Sequence, residues 1–202
     1  MGPDFSPTTV FRRSRVGVPE ATMQRLHQHC GIAPATLRDG HGDLIVGKVH
    51  ARLDNWRWEP AADGEGMLIV PCGWFWRPAG WVEIDDVVAF SPDRPDDWRL
   101  LTGGAVLLER DAVVEALRTG GPLVIHSTPL DWLRAGCTGT CIVDWSLNPY
   151  AELHLDRMAP GQIQCADAET MLDLWGRCRQ IDRAVPQIVT TAPKAAAIGV
   201  AA

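Results

Sequence analysis

Three groups of side chains in this sequence are of types that do chemistry. The first lies in Pro122–Trp145, PLVIHSTPLDWLRAGCTGTCIVDW, where His126, Ser127, Asp131 and Asp144 fall at or near the ends of apolar runs. Carboxylates so placed can hold a divalent cation against phosphate oxygens, and Ser, His and Asp together are the parts of a nucleophilic triad. Adjacent residues of a strand point to opposite faces, however, so His126 and Ser127 do not readily combine. Asp144 ends a buried strand, where α/β folds bind their ligands, and is the stronger candidate. Asp131 has a plainer reading. It stands three residues past Thr128, where an acid completes a helix cap and suits the helix dipole.

The second group is basic. Leu44–Leu53 alternates, with Ile45, Val49, Ala51 and Leu53 on one side and Lys48, His50 and Arg52 on the other. Arg57 extends that polar side, which could face phosphates; the plainer reading is an antiparallel strand with one wet face. The third group is aromatic. Trp74, Trp76 and Trp81 flank the turn Gly73–Gly80, GWFWRPAG, and an exposed patch of them would bind a partner or stack on bases. Burial of that turn against the sheet is the alternative. Trp132 and Trp175 are expected in the core. Cys137 and Cys141 have CxxxC spacing, but no second pair completes the four ligands of a zinc site. Together with Cys30, Cys72, Cys165 and Cys178 they read as buried thiols.

The elements that must position these residues follow from periodicity and punctuation. Residues 1–17 carry Arg12, Arg13 and Arg15 without an apolar period and read as a mobile or loosely docked arm. Pro19–Cys30 is predicted helical, with Met23, Leu26 and Cys30 on one face and Gly31 as its stop. Its His27 and His29 lie about 200° apart and cannot share a metal. Leu44–Leu53, Met67–Cys72, Trp81–Phe90 and Trp98–Leu101 are predicted strands, with Ser91–Asp97 as a loop. Asp86 falls on the apolar face of the third, which calls for a bulge or a buried, partnered carboxylate; a bulge is the commoner device. The pattern then changes. Helix Ala112–Thr119, strand Leu123–His126, helix Thr128–Ala135, strand Thr140–Trp145, helix Ser146–Arg157, strand Gly161–Ala166 and helix Asp167–Arg179 spell a parallel sheet with right-handed crossovers. The fold class is therefore α+β: an arm (1–17), a mainly antiparallel sheet lobe with one helix (18–104), a small three-stranded parallel α/β lobe (105–189) and a low-complexity tail (190–202) expected to be disordered.

Composition narrows the function classes. With 46% apolar and 22% charged residues the chain is of ordinary globular type. The net charge of −6 disfavours non-specific binding to nucleic acid. No apolar run reaches the ~18 residues of a membrane span, and the N-terminus lacks signal-peptide order, so a cytoplasmic protein is expected. Nine tryptophans against one tyrosine favour a protein partner.

Thr128–Leu133, TPLDWL, resembles the start of a helix in Toprim domains, found in bacterial primases and topoisomerases, and Cys141–Asp144 is similar to part of the strand that follows. Met67–Cys72 and Val87–Pro92 are similar in placement to the sheet preceding Toprim in primases, and the run PLDWLRAG resembles phage- and plasmid-borne proteins. The resemblance spans about residues 65–180. It implies a role near DNA replication. Ser127, however, occupies the place of the family's catalytic glutamate, Thr128 that of its glycine, and Asp144 is followed by Trp145 where the family has Asp-x-Asp. The implied protein is thus a non-catalytic, Toprim-like accessory or binding protein without a cofactor. The competing readings are a phosphoryl-transfer enzyme holding Mg2+ with Asp131 and Asp144, and an acidic inhibitor of a host protein complex.

Overall fold

The computed structural model describes residues 6–16, 18–39, 42–73, 75–76, 82–147, 149–155, 157–158, 162–179 and 188–190. Pro7 opens the first helix, α1 (Pro7–Arg15), and Ser6 caps it by accepting a bond from the Thr9 amide at 3.3 Å. The reading of residues 1–17 as a loose arm is corrected for this helix, since Val10 and Phe11 are buried in a core cluster. Two adjacent apolar residues in nine give no helical period, which is why the sequence hid it. Residues 1–5 lie outside the described residues. Helix α2 (Glu20–Cys30) follows with Met23, Leu26 and Cys30 buried, and it ends at Gly31 in the left-handed region. His27 and His29 are exposed.

Five strands, β1 (Gly47–Leu53), β2 (Trp58–Pro60), β3 (Glu65–Cys72), β6 (Asp86–Ser91) and β7 (Arg94–Leu100), form an antiparallel sheet in the order β2-β1-β3-β6-β7. Between β3 and β6 lies a small hairpin of β4 (Phe75–Trp76) and β5 (Val82–Glu83). The sheet curls until Arg57, just before β2, bridges Leu100 at the end of β7. Both of its faces are covered. Met67, Ile69, Val87 and Ala89 pack with α1, while the alternate residues Leu68, Val70, Val88 and Phe90 pack with α2. A Cβ on Gly47 would come within 2.9 Å of Ile69 and 3.0 Å of Ser14, so α1 can settle on β1 only where a side chain is missing.

Two expectations change here. Ser91–Asp97 is mostly strand: a turn at Pro92–Asp93 leads into β7, whose place at the sheet edge tolerates Pro95. Asp86 is not re-aimed by a bulge but fully buried. Its carboxylate accepts from the Val87 amide at 2.7 Å, the Leu101 and Thr102 amides at 3.1 and 3.0 Å, the Thr102 hydroxyl at 2.8 Å and the Gly104 amide at 2.7 Å. It therefore ties down the 101–104 loop that leaves the first sheet.

The second sheet is parallel throughout. Helix α3 (Asp111–Thr119), strand β8 (Leu123–His126), helix α4 (Pro129–Arg134), strand β9 (Thr140–Cys141), helix α5 (Pro149–Glu152), strand β10 (Ile163–Cys165), helix α6 (Ala168–Arg179) and strand β11 (Ile188–Thr190) follow in order. The strand order is β11-β10-β8-β9, so the three expected strands gain a fourth at the edge. The expected strand Thr140–Trp145 is shorter, because Ile142 and Val143 turn to pair antiparallel with residues 106–107. The expected helix Ser146–Arg157 shrinks to one turn. Leu153 and Leu155, two apart, are both buried, and His154 between them is left-handed at φ 47°; a surface α-helix with one buried face does not bury that spacing. On α6 the sheet covers Leu174 and part of Met171, whereas Leu172 and Trp175 are 56% and 41% exposed. Trp175 is thus not a core residue; Trp132 is. Residues 191–202 lie outside the described residues.

The two sheets are separate, yet one cluster joins them. Leu130, Leu133 and Trp132 of α4 pack with Val70, Val88, Phe90 and Leu100 of the antiparallel sheet. Across the other face of the parallel sheet, Val113 of α3 and Leu174 of α6 pack with Leu123, Ile125 and Ile163. Among the described residues, no helix is long and apolar enough to cross a membrane.

Candidate functional site

The order β11-β10-β8-β9 reverses direction between β8 and β10, and at such a reversal α/β folds open a crevice beyond the strand tips. Here Ser127 and Asp167 meet across it. The Ser127 hydroxyl donates to Asp167, and the same carboxylate caps α6 by accepting from the Thr170 amide at 2.8 Å and the Thr170 hydroxyl at 2.9 Å. The tips are joined to each other.

The neighbouring candidates are also committed locally. Asp131 accepts from the Thr128 hydroxyl at 2.7 Å and pairs with Arg134 at 3.0 Å, while its amide donates to Thr128; this is the cap foreseen from the sequence. Asp144 accepts from the amide and hydroxyl of Ser146 at 2.8 and 2.6 Å. His126 is buried with Nε2 2.8 Å from the Thr138 carbonyl, so it and Ser127 have different partners and form no triad. Among the described residues, no three His, Cys, Asp or Glu side chains are grouped to hold a metal ion. Cys137 and Cys141 point to different carbonyls, those of Thr36 and Ile142. Burial pushes the Cys137 thiol up to about 12 and that of Cys141 higher still, so both stay protonated at neutral pH.

On the basic face of β1, Arg52 is paired with acids of the neighbouring strand and turn. Arg52 sets Nη2 3.0 Å from both carboxylate oxygens of Asp63 and reaches Glu59, its cross-strand partner, with Nη1 at 3.4 Å. His50 lies 3.2 Å from the Gly64 carbonyl, and Lys48 is exposed. This is the wet face of an antiparallel strand. The guanidinium of Arg57 stacks 4.0 Å over the ring of Trp56. Trp74 and Trp81 lie outside the described residues, and of Trp76 only the strand backbone is described.

The aromatic surface that is on view lies elsewhere. A cleft of about 510 Å³ opens where the two sheets meet, lined by Trp56, Trp98, Trp145, Leu147, Asp96, Arg99, Asp144 and their neighbours. Trp56 is 61% and Leu147 41% exposed. Three elements hold the walls. Trp98 of β7 donates from its indole to the Val143 carbonyl at 3.0 Å, which stitches the first sheet to the second. Arg99 donates to the Asp54 carbonyl at 3.2 Å and pairs with Asp97 at 2.7 Å, pinning the Trp56 loop. Gly103, on the loop fastened by Asp86, stands against Trp56 and Arg57. A second cleft of the same size, lined by Arg52, Arg57 and Leu101, adjoins it on the other side of the loop.

The chain matches no family model, no curated protein and no solved structure. Its site must therefore be read from geometry. The sequence singled out Asp144, which lines the cleft, and Arg57, which backs it, but passed over Trp56, Trp98, Trp145 and Leu147. One signal for Trp56 was present: Asp54–Asn55 is a turn pair, and it sets the next residue on a loop tip. Beyond the cleft, Arg110 bridges the lobes by pairing with Asp85 at 3.2 Å and Glu152 at 2.8 Å. Beside it, burial raises the Glu109 carboxyl to about 7.

Proposed function

We propose that this chain is a non-catalytic binding protein, on a Toprim-like scaffold, that grips a segment of a protein partner in the Trp56–Trp98–Trp145 cleft. One observation carries the reading. A tryptophan 61% exposed, braced from behind by Arg57, stands in a cleft of about 510 Å³ beside two further indoles. Exposed aromatic clusters of this kind mark interaction sites, and indoles rank among the residues that dominate binding energy. The committed state of the carboxylates supports the non-catalytic half of the proposal: Asp131 caps a helix, Asp144 holds a turn, and Ser127 is tied to Asp167. A net charge of −6 favours a protein over a phosphate backbone as partner.

Selection from a random peptide library displayed on phage tests this. Peptides selected on the protein are expected to lose at least ten-fold in affinity for Trp56→Ala, the order of change for loss of one central aromatic contact. Trp56 is exposed, so its removal leaves the fold in place. Selected peptides that bind Trp56→Ala and Leu147→Asp as well as the parent protein would overturn the proposal.

A further inference from the structure

Resting on that reading of the cleft, we infer that its ligand is cationic: the side chain it takes is an arginine, a lysine or a methylated lysine carried on the partner segment. The charge inside the cleft points that way. Asp96 and Asp144 line it, and Asp96 is exposed. Asp144 is held by the amide and hydroxyl of Ser146, neutral donors that fix the carboxylate without cancelling its charge. Among the described lining residues the cation is Arg99, which is balanced by Asp97 at 2.7 Å and turned onto the carbonyls of Asp54 and Trp98. Among the described residues the lining thus offers two carboxylates and three indoles. An aromatic face carries partial negative charge, and indoles are the strongest of the natural cation-binding rings.

The chain itself gives an example of the contact. Arg57 stacks at 4.0 Å on Trp56, and it lines the neighbouring cleft rather than this one, so it backs the indole from the far side. The opposite face of that ring is π-surface too, and Asp96 and Asp144 supply negative charge that offsets the guanidinium behind it. Phosphate-bearing ligands meet the reverse chemistry here, because both carboxylates repel them.

The test uses the full chain, labelled with 15N, and acetylated and amidated pentapeptides Ser-Gly-Xaa-Gly-Ser in which Xaa is Arg, trimethyl-lysine, Leu or Glu. The indole N–H signals of Trp56, Trp98 and Trp145 are expected to shift with the Arg and trimethyl-lysine peptides and to stay in place with the Glu peptide. Asp144→Asn keeps the acceptor that Ser146 needs, so the turn survives; it and Asp96→Asn should each weaken binding roughly five-fold. Raising the salt concentration should weaken binding in the same direction. Three results would overturn the inference: shifts with the Leu peptide but not the Arg peptide, no shift with any of the four, or affinities unchanged in both Asn variants. None of these touches the peptide-library result, so the cleft can stand as a binding site even if its preference for cations fails.

Discussion

Replacing Asp86 is expected to loosen the fold and the cleft together, and by different amounts for different replacements. Its buried carboxylate gathers the amides of Val87, Leu101, Thr102 and Gly104 and the Thr102 hydroxyl. In Asp86→Ala the Leu101 amide keeps the Val87 carbonyl, 3.0 Å away, while the Val87, Thr102 and Gly104 amides lose this acceptor. A buried donor without its partner costs about 1–3 kcal/mol, more when the partner was charged. Three such amides, a hydroxyl and the lost charge give a cost of about 4 kcal/mol, reduced from the simple sum because the loop is half-buried and water can enter. Asp86→Asn keeps the oxygen that serves Val87, Leu101 and Thr102 but sets an amide against the Gly104 N–H; about 2 kcal/mol is expected. Urea unfolding followed by circular dichroism measures both. An alanine variant less than ~1 kcal/mol below the parent, or an asparagine variant no better than alanine, would refute the reasoning.

Three further outcomes are expected. Glu109 in the folded protein holds its proton to about 7 against 4.5 unfolded; the native state binds more protons between those values, so stability falls as pH rises through that window, by roughly 3 kcal/mol. Glu109→Gln should flatten that fall and raise the melting temperature at pH 8, as thermal melts from pH 4 to 8 would show. The thiols of Cys30, Cys72, Cys137 and Cys141 are all pushed up, with burial the main cause, so a thiol reagent at pH 7.5 should label them only after denaturant is added, read by peptide mass spectrometry. Gly47→Val should drive α1 off β1, since even a Cβ there meets Ile69 at 2.9 Å; a loss of about 2–3 kcal/mol, with faster proteolysis after Arg12, Arg13 and Arg15, is the expected signature.

The parallel lobe was the more legible half of the sequence. Thr128, Pro129 and Asp131 mark a helix start chemically, Gly120 and Gly136 mark helix ends, and the apolar runs at Leu123–His126 and Ile163–Cys165 leave little choice of element. What escaped was set by contacts distant in the chain. Val10 and Phe11 make α1 a docked helix only because Gly47 leaves room. Pro95 reads as a loop residue until the strand is seen to lie at an edge. Asp86 needs amides 15 to 18 residues further on, which no local pattern announces. The cleft is the extreme case. Trp56, Trp98 and Trp145 come from three separate segments, and only the closing of Trp98 onto Val143 brings them together. The side chains of Trp74, Trp76 and Trp81, the aromatic surface expected from the sequence, lie outside the described residues.

The binding claim is tested most directly by the indole N–H spectrum of the labelled protein during titration with a library-selected peptide. The expected result is movement of the Trp56, Trp98 and Trp145 signals while those of Trp58 and Trp132, whose indoles donate to the Val87 and Gly139 carbonyls in the core, stay fixed. Movement confined to other tryptophans, or the same three signals moved by a thymidine oligonucleotide and not by peptide, would contradict it.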